Sequence, residues 1–114
     1  MEDYFINLAL ISGQPSVILF DRGCVDPKAY MDDETFQTVM DETGHNLVYL
    51  RDKRYDAVLH LITAADGAEK FYTSENNAAR YENVEQAIET DRRTVRAWTG
   101  HQRHMYAAYK INYY

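Results

Sequence analysis

Val17-Ile18-Leu19-Phe20 is the stretch that most restricts how this chain can fold. Four consecutive apolar residues, two of them β-branched, lie between the breaker Gly13-Gln14-Pro15 and the polar turn Asp21-Arg22-Gly23. A run this short, without alternation, fits a strand covered on both faces, as parallel sheets in α/β proteins are. The carboxyl ends of such strands are where open α/β sheets collect ligands. There, Asp21 can hold a hydrated Mg²⁺ or accept a hydroxyl proton, and Arg22 can fork onto phosphate. Gly23 lets the chain turn sharply. The same three residues also suit an ordinary acidic strand end with a solvated arginine.

The remaining pattern predicts helices around a second strand. Tyr4 to Ser12 is apolar nearly all round, which predicts a helix buried on more than one side. Phe36, Val39, Met40 and Thr43 recur at helical spacing, with Asp32 or Asp33 as cap and Gly44 as terminator. Ala57 to Ile62 predicts a buried strand, parallel to the first through a right-handed crossover. Thr63 to Tyr81 has no pattern and reads as a long functional loop. A further helix is expected after a cap at Asn83, with Val84, Ile88, Val95 and Trp98 as its stripe and Asp91 as an acid on that stripe. After Gly100 the chain reads as neither clean strand nor clean helix. Two parallel strands do not make a finished sheet, so the architecture looks incomplete.

At 114 residues the chain is one domain's worth of material, and its 46% apolar content is that of a globular protein. A net charge of −6 gives no overall attraction to nucleic acid. The single Cys24 excludes a disulfide framework and fits a reducing, cytoplasmic setting. No run approaches the roughly 20 apolar residues that span a bilayer, so a transmembrane segment is not expected.

The motif Val17-Ile18-Leu19-Phe20-Asp21-Arg22-Gly23, with Asp26 and Ala29-Tyr30-Met31, resembles the NadR-like AAA-type P-loop family, to which the TRPL translocation defect proteins belong. The resemblance continues at Leu50 to Asp56, at His60 to Ala68 with its Thr-Ala-Ala-Asp-Gly-Ala stretch, at Phe71-Tyr72 to Arg80, at Asp91-Arg92-Arg93 and at Ala97 to His101. It implies an α/β, three-layer P-loop NTPase or kinase-like fold, here incomplete, that binds GTP or ATP with Mg²⁺. By the same resemblance Asp21 is the metal-side carboxylate of a Walker B strand and Arg22 a phosphate or acceptor contact. Residues 66–82 would form a lid, with Asp66, Gly67 and Lys70 beside the nucleotide and Arg80 able to neutralise transferring phosphate. Residues 1–101 would be the C-terminal part of the domain and 102–114 a divergent tail.

One departure stands out. No G-x-x-x-x-G-K-[ST] occurs in these 114 residues: the glycines are 13, 23, 44, 67 and 100, and none precedes Lys-Ser or Lys-Thr. Without the amide nest and lysine of that loop, phosphoryl transfer by these residues alone is not expected. In related kinases the phosphate-loop strand lies between the two strands found here.

Other residues weigh less. His60 in an apolar run is expected to be a hydrogen-bonded core histidine, and His101 and His104 to be solvated. Cys24 reads as a passive small residue. Two basic knots, Arg51-Lys53-Arg54 and Arg92-Arg93-Arg96, suit either phosphoinositide headgroups or a solvated face. Asp91 needs a partner if buried, and Arg51 or Arg54 is the expected one. Three readings follow: a nucleotide-binding P-loop fragment, a non-enzymatic phosphoinositide- or protein-binding module of intracellular trafficking at the membrane periphery, and a fragment completed by a strand from another polypeptide.

Overall fold

The computed structural model describes residues 1–63, 65 and 78–108, with backbone alone for 78–82. The elements run α1 (Glu2–Ser12), a 3₁₀ turn (Asp26–Tyr30), α2 (Asp33–Thr43), a π turn (Tyr49–Lys53), β1 (Val58–Leu61), α3 (Ala78–Trp98) and β2 (His104–Ala107). The two strands pair in parallel, Val58 opposite His104 and Leu61 opposite Ala107. The chain is thus a mixed helix and strand structure with a parallel pair as its sheet among the described residues.

Local rules account for α2. Asp32 is its N-cap, and Oδ1 accepts from the Thr35 amide at 2.6 Å. That bond holds the Asp32 carboxyl below its ordinary pKa. Gly44 ends the helix at φ 71, a left-handed position that favours glycine. Phe36 and Met40 point inward and join Val25, Leu50, Ala97 and Trp98 in the core. Asn46 opens the next turn in the same manner, its Oδ1 accepting from the Tyr49 amide at 3.2 Å.

Several expectations are corrected. Val17–Phe20 forms no strand, and Val17 and Leu19 are 87% and 90% exposed. A parallel strand is stabilised by neighbours on its edges and layers on its faces. Among the described residues no strand pairs with this segment, and its partly buried Ile18 and Phe20 gain only limited cover, Phe20 against the Tyr55 ring. The expected crossover partner, β1, pairs with β2 instead. Helix α1 forms where its spacing predicts, yet buries none of its residues. Tyr4, Leu8, Leu10 and Ile11 are all more than half exposed. Asn83 is no cap: α3 already begins at Ala78 and runs through it, so the last residues assigned to the lid are helical. Ala78-Ala79-Arg80 are strong helix formers, and a helix with such an N-terminal extension has no reason to start at Asn83. The segment after Gly100, which shows no clean pattern in sequence, supplies β2.

The sheet is covered on one face. His60 is buried beneath α3, whereas Leu59, Leu61 and Met105 on the opposite face are 60%, 68% and 51% exposed. Apolar strand residues left open on one face show that the layer expected on that side is not supplied by the described residues.

Candidate functional site

The Asp21-Arg22-Gly23 turn follows the Val17–Phe20 run directly, and the Asp21 and Arg22 side chains both face solvent. Arg22 has φ 76, and among the described residues no other non-glycine has a positive φ. For an L-residue with a long side chain this conformation is strained and needs support from its surroundings. The support comes from below. The Gly23 amide donates to Asp26 Oδ2 at 3.3 Å, and Trp98 Nε1 donates to Asp26 Oδ1 at 2.6 Å. Gly23 packs closely against the indole: a Cβ there would come within 2.6 Å of Trp98 Cζ2. This close approach is the reason the position takes glycine.

A second anchor lies beside it. The Cys24 amide donates to Tyr55 Oη at 2.8 Å, and that hydroxyl donates to the Glu2 carboxylate at 3.0 Å. The Tyr55 ring meets Trp98 and Phe20 edge to face, at 5.3 and 6.1 Å between centroids. Burial, chiefly, pushes the Tyr55 phenol above its ordinary pKa, with Cys24 adding to the effect. Arg22, Gly23, Asp26, Pro27, Tyr30 and Met31 line a depression beside the turn that is wide open to solvent.

The other sequence candidates are dispersed. Asp66, Gly67 and Lys70 lie outside the described residues. Arg80 falls in the first turn of α3, where the backbone alone is described. Arg92, Arg93 and Arg96 are exposed along α3, and Arg93 pairs with Glu89 at 3.3 Å. The other basic knot is largely neutralised. Arg51 forks onto Asp52 at 2.6 and 2.9 Å, and this bond holds the Asp52 carboxyl low. Arg54 reaches Glu2 and Asp3, each at 2.9 Å, and the Glu2 bond chiefly raises its pKa.

Asp91 therefore has a different partner from the arginines expected. His60 Nε2 donates to it at 3.0 Å, and His60 is a buried, hydrogen-bonded histidine. His101 and His104 are packed rather than solvated. His101 is 8% exposed and bonds the Tyr55 carbonyl at 2.7 Å, which ties the turn before β2 to the turn before β1. Cys24 Sγ sits 3.3 Å from Glu2 Oε2. No cluster of three or more His, Cys, Asp or Glu capable of holding a metal occurs among the described residues. A Mg²⁺ that keeps most of its waters and takes one carboxylate plus ligand phosphates needs no such cluster, and the exposed Asp21 fits that role.

Trp98, Asp26 and Tyr55 are the site residues that sequence reasoning missed as such. Asp26 and Trp98 are 72 positions apart, so no local pattern joins them. The lone tryptophan on an apolar stripe reads simply as core.

A protein-family model described as AAA domain matches residues 2–112. The chain belongs to the AAA domain family. In family terms it is a P-loop-like, nucleotide-binding domain. Searches of curated proteins and of solved structures found no significant match. Among the described residues, no helix is long and apolar enough to cross a membrane.

Proposed function

We propose that these residues are the Walker B and lid portion of a NadR-like P-loop domain of the TRPL translocation defect type, binding GTP or ATP with Mg²⁺. Asp21 is the metal-side carboxylate and Arg22 a phosphate contact. Asp66, Gly67, Lys70 and Arg80 belong to the lid. The observation that carries this reading is the strained, solvent-facing Asp21-Arg22 pair, held by buried contacts at the end of an apolar run. Strain maintained at an exposed polar turn marks a place selected for what it presents rather than for its own stability. The absence of a G-x-x-x-x-G-K-[ST] from these 114 residues, together with the exposed Val17 and Leu19 and the parallel sheet left open on one face among the described residues, supports a fold whose phosphate cradle is supplied by other polypeptide. Bound Mg²⁺ would neutralise phosphate charge beside Asp21. Positioning and charge neutralisation supply nearly all phosphoryl-transfer catalysis, so these residues alone hold ligand without turning it over.

Calorimetric titration with GTP and with ATP, with and without Mg²⁺, tests this. Mg²⁺-dependent binding that disappears in Asp21→Ala is the expected result. Binding that survives the substitution removes Asp21 from the role and the reading with it.

The exposure of Arg92, Arg93 and Arg96 along one helix favours a second reading, a non-enzymatic surface for phosphoinositide headgroups. Flotation with phosphoinositide-containing liposomes should then be lost when the three arginines are neutralised together. Flotation that is unaffected counts against the patch.

A further inference from the structure

The Asp26 carboxylate uses its two oxygens for two different N–H donors. Oδ2 accepts from the Gly23 backbone at 3.3 Å and Oδ1 from Trp98 Nε1 at 2.6 Å. Trp98 is 4% exposed and fixed among Val25, Phe36, Met40, Leu50 and Ala97. Asp26 is thereby held by the core, and the turn is held by Asp26. Arg22 is the residue on which this converges. Its backbone is left-handed, its side chain is 71% exposed, and Nη1 lies 3.8 Å from Asp26 Oδ2. An exposed ion pair at that distance is too weak to impose a strained backbone. The buried contacts of Gly23, Asp26 and Trp98 do so instead, which leaves the guanidinium free to exchange partners.

We infer that Asp26 and Trp98 are a positioning pair for Arg22: they fix its backbone so that the guanidinium is presented beside Asp21 and passes from Asp26 to a phosphate chain when one binds. The inference rests on the nucleotide reading above and adds two residues to it. Neither touches the ligand. The carboxylate is needed because asparagine would turn an NH₂ group toward one of the two N–H donors. The indole is needed for its N–H as well as its bulk, since phenylalanine keeps the ring packing against Gly23 but leaves Asp26 Oδ1 without its donor.

Trp98 is the sole tryptophan of the chain, so its emission reports on the pair directly. Magnesium tripolyphosphate is a suitable probe because it carries a phosphate chain and no absorbing base. The 114-residue chain is titrated with it by calorimetry and, in parallel, by Trp98 emission. Mg–ATP and Mg–GTP are titrated by calorimetry alone. The expected result is a saturable emission change that tracks the heat, because departure of Arg22 alters the charge around the carboxylate that the indole N–H faces. Asp26→Asn should weaken binding at least tenfold and abolish the emission change, and Trp98→Phe should weaken binding in calorimetry. An emission change caused by the ligand's field alone would persist in folded Asp26→Asn, so a change that survives there also overturns the inference. If that variant misfolds, Trp98→Phe read by calorimetry decides the matter, and undiminished binding by it overturns the inference. Heat of binding with constant emission overturns the inference and leaves the nucleotide reading intact, as does binding by folded Asp26→Asn within twofold of wild type. Absence of heat with all three probes removes the nucleotide reading and this inference together.

Discussion

Asp91 Oδ1 lies 3.0 Å from His60 Nε2 and also 3.0 Å from the backbone nitrogen of Thr63, so one oxygen of α3 joins the middle of β1 to the residues just beyond its end. His60 is 9% exposed and Asp91 16%, which makes this a shielded polar pair. A carboxylate oxygen can only accept from a backbone N–H, and with both donors aimed at it His60 must present Nε2–H. The pair sets the height of α3 over the sheet. Two turns further along, the same helix ends in Trp98, which supports the Asp21-Arg22-Gly23 turn.

Asp91→Ala should therefore cost about 2–3 kcal/mol in urea unfolding, because it strips two shielded donors of their acceptor at once. His60→Ala should lose much of the same interaction, so the double variant should be less destabilised than the sum of the two singles by about 1 kcal/mol or more. Strict additivity would show that the two side chains act independently.

How far the sequence discloses this arrangement depends on distance along the chain. Asp32 and Gly44 are legible as the ends of α2 because capping involves residues three or four apart. Val58–Leu61 is legible as a strand from its apolar content, although its partner is not, since β2 contains His104 and Tyr106 and shows no alternation to find. Helix α1 is legible as a helix but not as an exposed one. Its all-round apolar surface encodes a covering layer that the described residues do not contain. The same holds for Val17 and Leu19. The site was legible in part: the sequence marks Asp21, Arg22 and Gly23 as a polar turn after an apolar run. The carboxylate and indole beneath them become visible only when the chain closes on itself.

His104 gives the fold a pH dependence of definite sign. Burial, first, and then the nearby His60 and His101 lower its pKa in the folded chain, and its buried Nε2 finds no hydrogen-bond partner among the described residues. The unfolded chain then binds the proton more readily than the folded one. Stability should be fully present above the unfolded value of 6.5 and should fall as pH drops from there toward the folded pKa. Urea midpoints measured at pH 7.5 and 5.5 should differ in that direction, and His104→Gln should flatten the difference. A midpoint that rises on acidification would contradict the burial of this ring.

Gly23 and Gly13 separate packing from backbone strain. Gly23→Ala drives a methyl against Trp98 Cζ2 and Cη2, at 2.6 and 2.8 Å before relaxation, and should cost about 1–3 kcal/mol while shifting the tryptophan emission. Gly13 has φ 65 and open space around it, so Gly13→Ala meets conformational strain alone. Because α1 buries nothing, that strain should fray the helix end and leave both the global urea midpoint and the emission nearly unchanged. Equal loss of global stability in the two variants would mean that Trp98 does not set the cost at position 23.

The attachment of α1 should be as local as its contacts. The helix is fastened near its first turn, where Glu2 accepts from Arg54 Nε at 2.9 Å and from Tyr55 Oη at 3.0 Å, and Asp3 accepts from Arg54 Nη2 at 2.9 Å. Arg54→Ala removes two of these three bonds and leaves Glu2 with Tyr55 Oη and the Cys24 thiol. An isolated helix of 11 residues is marginal in water. Amide exchange of residues 5–12 should accordingly accelerate at least tenfold, while the amides of α2 and of the buried half of α3 keep their protection. Tyr55→Phe is the converse case. It deprives the Cys24 amide of its acceptor inside the turn as well as Glu2 of a donor, so it should cost about 1–3 kcal/mol globally and accelerate exchange at Cys24. If Arg54→Ala instead lowers protection evenly across α2 and α3, α1 is an integral part of the core and not a helix held at one end.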